Sequence, residues 1–231
     1  MTKPSSNDFF TKDMAQAYDQ RNSKLSPISE CMHFLSSLVL KELPGASRIL
    51  CVGVGTGAEI FSLSKAFPKW SFVGVDPSAS MLEVCRERLA QAGISDRCQL
   101  VHGYVSDVES GENFDAVLSI LVGHFVSRED RIPFFQNMIS RLKKGGYLIN
   151  TEISFDLDSK EFPLMLKNWE QVQSLMGATP ESLAALPKQL REMLTVLPSS
   201  EVENLYRQNG IQNPVRFFQA LMISGWYGKK S

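Results

Sequence analysis

An open, mostly parallel α/β sheet, doubly wound with helices on both faces, is the fold class this sequence predicts. Short apolar runs alternate with segments of helical spacing from "RILCVGV" through "GGYLINTEI". The turns between them are short, and such alternation joins parallel neighbours by right-handed crossovers. A glycine-rich elbow, "GVGTG", carries the first run into the first helix of the series, and Asp76 ends the second run.

The elements follow in chain order. A polar start gives way to "ISECMHFLSSLVLKEL", where Met32, Leu35, Val39 and Leu43 share one helical face before Pro44-Gly45 stops it. Residues 1–48 therefore read as an amino-terminal helical cover. "RILCVGV" is a buried strand, "AEIFSLSKAF" a helix ended by Pro68, and "SFVGVD" the next strand. Pro77 opens the helix "SASMLEVCRERLAQAG". "CQLVHGYV" and "FDAVLSILV" are strands, "REDRIPFFQNMISRLKK" is helical through Pro133, and "GGYLINTEI" is the last of the series. These runs make residues 49–155 the core of the sheet. Between about Phe155 and Ser200 the alternation breaks into the helical segments "PLMLKNWEQVQSLM" and "PESLAALPKQLREMLTVLP", so residues 156–203 read as a helical lid insertion. Residues 204–231 close the chain with the end of "EVENLYRQNG", a helix stopped by glycine, and "VRFFQALMISGWYGKK", one or two strands. The whole, 1–231, reads as one domain.

Composition excludes several classes. A net charge of −1 gives no global basic field to recruit nucleic acid or an anionic membrane. Asp156 to Glu203 carries four Lys/Arg against eight Asp/Glu, which argues further against a nucleic-acid substrate, whereas Leu205 onward carries four Lys/Arg and no acid. Cys31, Cys51, Cys85 and Cys98 show no CxxC spacing, so neither a metal site nor a disulfide framework is expected. The start "MTKPSSNDFF" has no apolar targeting core, and no 18-residue apolar run occurs. A cytoplasmic protein in a reducing compartment is the expectation.

The elbow is where chemistry is expected. Gly53, Gly55 and Gly57 follow a strand and precede a helix; glycines permit a tight turn and close ligand approach, and the helix start adds donors. Asp76 lies 19 positions after Gly57. In a doubly wound sheet this places a carboxylate beside the turn, at the height of a ribose. Gly53-x-Gly55-x-x-Ala58 satisfies a dinucleotide fingerprint and so an NAD oxidoreductase, and Gly53-x-Gly55-x-Gly57 fits a second class of nucleoside cofactor.

The second pattern resembles the first motif of the class I S-adenosylmethionine-dependent methyltransferases, and the resemblance extends from about Asp13 to the C-terminus. "VGVDPSASMLEVCRERL" is similar to the family's second motif, "FDAVLSILVGHFV" to its fourth strand, and "MISRLKKGGYLINTE" to its following helix and fifth strand. It implies a Rossmann-like seven-stranded sheet with antiparallel final strands and S-adenosyl-L-methionine as cofactor, leaving S-adenosyl-L-homocysteine as product. Gly53, Val54, Gly55, Gly57, Pro77, Tyr104, Val105, Ile120 and Leu121 would line the cofactor, with Asp76 on the ribose, Met81 near the adenine and Arg21 paired with the carboxylate, beside Tyr18. The chain departs from the family at Cys51, where an acid is usual, and at Tyr104, where an aspartate is common.

His124, after the fourth strand, is the candidate general base, and Glu152, closing the fifth strand, the candidate to orient an amine or hydroxyl across the same cleft. Phe162, Met165, Trp169 and Met176 would wall an apolar substrate pocket. The layout is also similar to carboxy-S-adenosylmethionine synthase, of tRNA wobble-uridine modification. Against this, Pro187, with Lys188 adjacent, stands where that enzyme has an arginine, and Ile120 where it has an asparagine. The expected function is methyl transfer to a small molecule, by a monomer or a homodimer; a non-catalytic scaffold on a degraded cofactor site is the alternative from another class.

Overall fold

The computed structural model describes Gln20, residues 22–111 and residues 113–231. Its centre is one sheet of seven strands: β1 (Arg48–Val52), β2 (Ser71–Asp76), β3 (Cys98–His102), β4 (Phe114–Ile120), β5 (Leu142–Ile153), β6 (Val215–Ala220) and β7 (Ile223–Lys229). Their order is β3-β2-β1-β4-β5-β7-β6. The first five pair in parallel, and β7 runs antiparallel to both β5 and β6. This is the Rossmann-like α/β arrangement the alternation predicts. The strand order reverses between β1 and β4, which opens a crevice at their carboxyl ends.

Helices cover both faces because the strands between them carry apolar side chains on both. Seven helices are labelled here: α1 (Ser26–Val39), α2 (Ala58–Ala66), α3 (Ala79–Gln91), α4 (Arg131–Ser140), α5 (Phe162–Leu175), α6 (Pro180–Lys188) and α7 (Ser199–Gln208). One face packs Ile60 and Leu63 of α2 and Leu82, Cys85 and Leu89 of α3 on Ile49, Cys51, Phe72 and Leu118. On the other, Phe135 and Met138 of α4 and Val202, Leu205 and Tyr206 of α7 meet Val117, Leu148 and Trp226. The Tyr206 hydroxyl donates to the Trp226 carbonyl at 3.0 Å, which pins α7 to β7.

The insertion is helical as expected, and a π-helical turn (Gln189–Met193) follows α6. Phe162, Trp169, Val172, Leu186 and Leu190 cluster with Met32 of α1 and with Phe218, Met222 and Ile223 of the β6–β7 hairpin. Ile120, Leu121 and Ile153, at the carboxyl ends of β4 and β5, pack against that cluster.

The segment "RLKK" is not helical, contrary to its predicted place in the preceding helix. Helix α4 ends at Ser140, and Arg141 turns back to donate to the carbonyls of Asn137, Ser106 and Val108 at 2.9, 3.2 and 2.7 Å. Leu142, fully buried, then pairs opposite Phe114 and begins β5. Burying that side chain against the sheet outweighs another half-turn of exposed helix. Pro133 falls in the first turn of α4, where its missing N–H costs nothing. All four cysteines are free thiols. Among the described residues no helix is long and apolar enough to cross a membrane.

Candidate functional site

The glycine bend is built by β1 and held by β2. The N–H groups of Gly53 and Val54 both donate to the Val75 carbonyl, at 2.8 and 3.1 Å. All three glycines have left-handed backbone, with φ of 66°, 52° and 88°. They serve different ends. A side chain at Gly53 would meet Val122 at 2.4 Å, and one at Gly57 would meet the Cys85 thiol at 2.9 Å. At Gly55 the same direction meets only the Met81 methyl at 3.5 Å, an ordinary contact. There is thus room for a Cβ at Gly55, which is half-buried, and none at the other two.

Asp76 reaches this bend directly. One carboxylate oxygen accepts from the Gly55 N–H at 2.9 Å and the other from the Ser78 N–H at 2.8 Å. The same group thus braces the bend and the start of α3, where the Ser78 hydroxyl accepts from the Met81 N–H. Burial pushes the Asp76 carboxyl above its ordinary value, against the pull of those two N–H groups and of His102. Each oxygen still has a lone pair for a ligand hydroxyl. Gly103 N–H donates to the Asp76 carbonyl at 3.0 Å, which sets Tyr104 and Val105 beside the same corner; Tyr104 is 54% exposed and Val105 is buried. Met81, Val54 and Asp76 are buried, and Pro77 is half-buried.

On the opposite side of the crevice Ile120 and Leu121 end β4. Leu121 has φ 58°, unusual for a residue with a side chain, and its N–H donates to the Thr151 carbonyl at 2.7 Å. Arg21 and Tyr18, expected over the cofactor's amino-acid end, lie outside the described residues.

The two candidate proton-transfer groups follow β4 and close β5 as expected, but both are buried. Glu152 is fully buried and does not face an open cleft; it pairs with Arg131, itself 1% exposed, and accepts from the Asn150 amide at 2.9 Å. Burial raises its carboxyl and Arg131 opposes that shift. Strand alternation turns residue 152 to the face covered by α4, where an arginine from the helix start meets it. His124 is 4% exposed, and its ring Nδ1 accepts from the Ile153 N–H at 3.3 Å. Burial, aided by Arg131, drops its pKa to about 3. It is neutral at physiological pH and a poor proton acceptor.

Sequence reasoning missed Arg131, Val122 and Glu59, all of which contact or border this edge. Arg131 opens an amphipathic helix, and nothing in its spacing marks it as buried. Glu59, two residues past Gly57, is 5% exposed although it reads as an acid on a helix start.

The bend, the carboxylate at the end of β2 and the switch in strand order are the parts of a nucleoside-cofactor site. Residues 49–146 match the sequence family described as "Methyltransferase domain". That match supports a class I S-adenosylmethionine-dependent methyltransferase. It is 34% identical over 127 residues to erythromycin 3''-O-methyltransferase of Saccharopolyspora erythraea, a match spanning 53% of this chain and 40% of that one. It is 26% identical over 198 residues to carboxy-S-adenosyl-L-methionine synthase of Campylobacter fetus, across 84% of this chain and 82% of that one. Among solved structures, PigF with S-adenosylhomocysteine superposes with a TM-score of 0.66 at 17% identity, covering 95% of this chain and 60% of PigF. The chain therefore spans well under two thirds of the erythromycin enzyme and of PigF. The family's cofactor is S-adenosylmethionine, and the fold is that of the O-methyltransferase-like members. The residues at the bend are compatible with that ligand: Gly55 is half-buried rather than sealed, and Asp76 keeps acceptor lone pairs beside it.

Proposed function

We propose that this chain transfers the methyl group of S-adenosylmethionine to a small, partly apolar acceptor. The observation that carries this reading is the Asp76 carboxylate bonded to the N–H of Gly55, the half-buried middle glycine of the turn. When bound, the cofactor supplies an electrophilic methyl on a sulfonium, so no metal is required. In this reading Gly53, Val54, Gly55 and Gly57 form the turn under the ligand, Asp76 holds the ribose, and Met81, Pro77, Tyr104 and Val105 border the adenine. Ile120 and Leu121 close the other wall, and Arg21 pairs with the ligand carboxylate.

His124 and Glu152 act as positioning groups rather than as an exposed base. Neutral His124 holds the backbone of Ile153, and the Arg131–Glu152 pair holds the segment after β4. Acceptor deprotonation is then left to solvent or to the acceptor's own acidity. The insertion, residues 156–203, serves as a lid: its apolar side chains pack on Ile120, Leu121 and Ile153, next to where the methyl would emerge. Its acidic balance disfavours a nucleic-acid acceptor. The small-molecule assignment gains support from the erythromycin 3''-O-methyltransferase match. The free thiols suit a reducing, cytoplasmic setting. Leu164 and Leu175 of α5, 68% and 64% exposed, are the surface that a homodimer would cover, which light scattering of the purified chain reads.

Calorimetric titration with S-adenosylhomocysteine tests the core of the reading. Binding in the micromolar range is expected, and absence of heat at millimolar ligand refutes it. Mass spectrometry after incubation with S-adenosylmethionine and small hydroxyl and amine compounds then identifies the acceptor. A second reading, carboxy-S-adenosylmethionine synthesis, is favoured by the near-full-length match to the Campylobacter synthase. A cofactor heavier by a carboxyl group after purification from cells would select it.

A further inference from the structure

A buried carboxyl, without an ion-pair partner among the described residues, lies at the glycine bend. Glu59 stands in the first turn of α2, immediately after the bend, and is 5% exposed. Among the described residues no lysine, arginine or histidine forms an ion pair with it. Its electrostatic neighbours are Cys51 on β1, Cys85 on α3 and Asp76 at the end of β2. Burial and then the Asp76 charge push its carboxyl up to about 8, opposed by its own backbone N–H.

The cations on surrounding elements are engaged elsewhere or point to solvent. Arg88 on α3 donates to the Thr56 carbonyl at 3.1 Å and lies over the Phe61 ring. His102 on β3 contacts the Pro77 carbonyl at 3.0 Å. Helix α1 brings Glu30 and His33 to a cleft that α2 lines with Lys65, on the outer side of that helix. The bend therefore presents two carboxyl groups, one of them deeply buried, and among the described residues no basic partner pairs with the buried one. Such a group stays neutral until a positive charge arrives to compensate its burial.

We propose that Glu59 is the counter-charge for the ammonium at the amino-acid end of the cofactor, so that binding converts it from acid to carboxylate and releases its proton to solvent. The proposal rests on S-adenosylmethionine binding at this bend. With the ribose on Asp76, the ligand's remaining half lies along the turn that α2 closes. The balance is simple: the Glu59 O–H breaks, the proton leaves to buffer, and the carboxylate stays beside the ligand's ammonium, with no ligand bond altered. A carboxyl at about 8 is roughly nine-tenths protonated at pH 7, so close to one proton should leave per ligand bound.

Calorimetry at pH 7 in buffers of different ionisation heat counts those protons. S-adenosylmethionine and S-adenosylhomocysteine, which both carry the ammonium, should release about one proton each. 5′-Methylthioadenosine, which keeps the nucleoside and thioether but lacks the amino-acid end, should bind with none. Glu59→Gln resembles the neutral acid of the free protein and should fold, as circular dichroism reports. It should keep its affinity for methylthioadenosine, lose proton release, and bind S-adenosylhomocysteine at least about tenfold more weakly at pH 8. Binding of S-adenosylhomocysteine to the wild type without proton exchange overturns the role of Glu59 and leaves the cofactor assignment standing. Equal proton release from Glu59→Gln does the same. Failure of all three ligands to bind removes the cofactor reading and this one with it.

Discussion

Replacing Asp76 tests whether one carboxylate both braces the bend and receives the ligand. Its oxygens accept from Gly55 N–H at 2.9 Å and Ser78 N–H at 2.8 Å, and the residue is 8% exposed. Hydrogen bonds to a charged acceptor contribute about 1.5–3 kcal/mol each, so Asp76→Ala forfeits about 3–6 kcal/mol gross. Part of that returns, because burial already raises this carboxyl: the fold holds the charged form at a cost that alanine removes. A net loss of about 2–4 kcal/mol at pH 7 is expected from urea unfolding without ligand. Asp76→Asn keeps one acceptor but turns its amide nitrogen toward the other N–H, donor against donor, so it should fall between wild type and alanine. Both variants should also lose most of the thermal shift given by S-adenosylhomocysteine. An alanine variant within about 0.5 kcal/mol of wild type would mean that the turn holds itself, and the bracing argument would fail.

Removing Arg131 strands a fully buried carboxylate: Arg131→Met should cost about 3–5 kcal/mol, and adding Glu152→Gln should restore most of it, as a double-mutant cycle in urea would show. Stability should also fall on both sides of mildly acidic pH. Glu59, held at about 8 in the folded protein, keeps a proton that the unfolded chain releases near 4.5, so stability declines as pH rises toward 8, and Glu59→Gln should flatten the profile from pH 6.5 to 8. His124, held at about 3, is protonated first in the unfolded chain, so stability declines as pH drops from 6.5 toward 3, and His124→Gln should shrink that loss; unchanged urea midpoints in either variant would contradict the burial argument.

What was legible in the sequence was what local chemistry encodes. Apolar runs of strand length, glycines at a turn and an aspartate at a strand end act through neighbours close in the chain, and all of them took their expected places. The misplaced features depend on partners far along the chain. Arg131 and Glu152 are separated by 21 positions and meet only because β5 alternation and the α4 start converge on one face. Alone, Arg131 reads as a solvated charge and Glu152 as a carboxylate facing the cleft. Leu142 continues a plausible helix with two lysines after it, and only pairing with Phe114 makes it a strand residue. Glu59 looks like an ordinary acid at a helix start, favourable to the dipole there; its burial follows from α3 laying Cys85 against the same corner.

The corner between β1 and β4 is held more firmly than a tight turn requires. Leu121 occupies a left-handed conformation that costs a side-chain-bearing residue of order 1–3 kcal/mol. That cost is met by the Thr151 carbonyl and hydroxyl, which receive its N–H at 2.7 and 3.2 Å. The kink sends Val122 against the bare Cα of Gly53, so the ends of β4 and β1 are locked to each other. Asp76 locks the same bend to β2 through Gly55. Three strand ends are thus fixed around one turn, and an interior optimised for packing alone would have no reason to hold a strained leucine and two buried acids at that point. Rigidity of this kind lowers the ordering cost of binding and favours a ligand that spans the ends of β2, β1 and β4. A nucleoside joined to a charged amino-acid arm has that length and polarity.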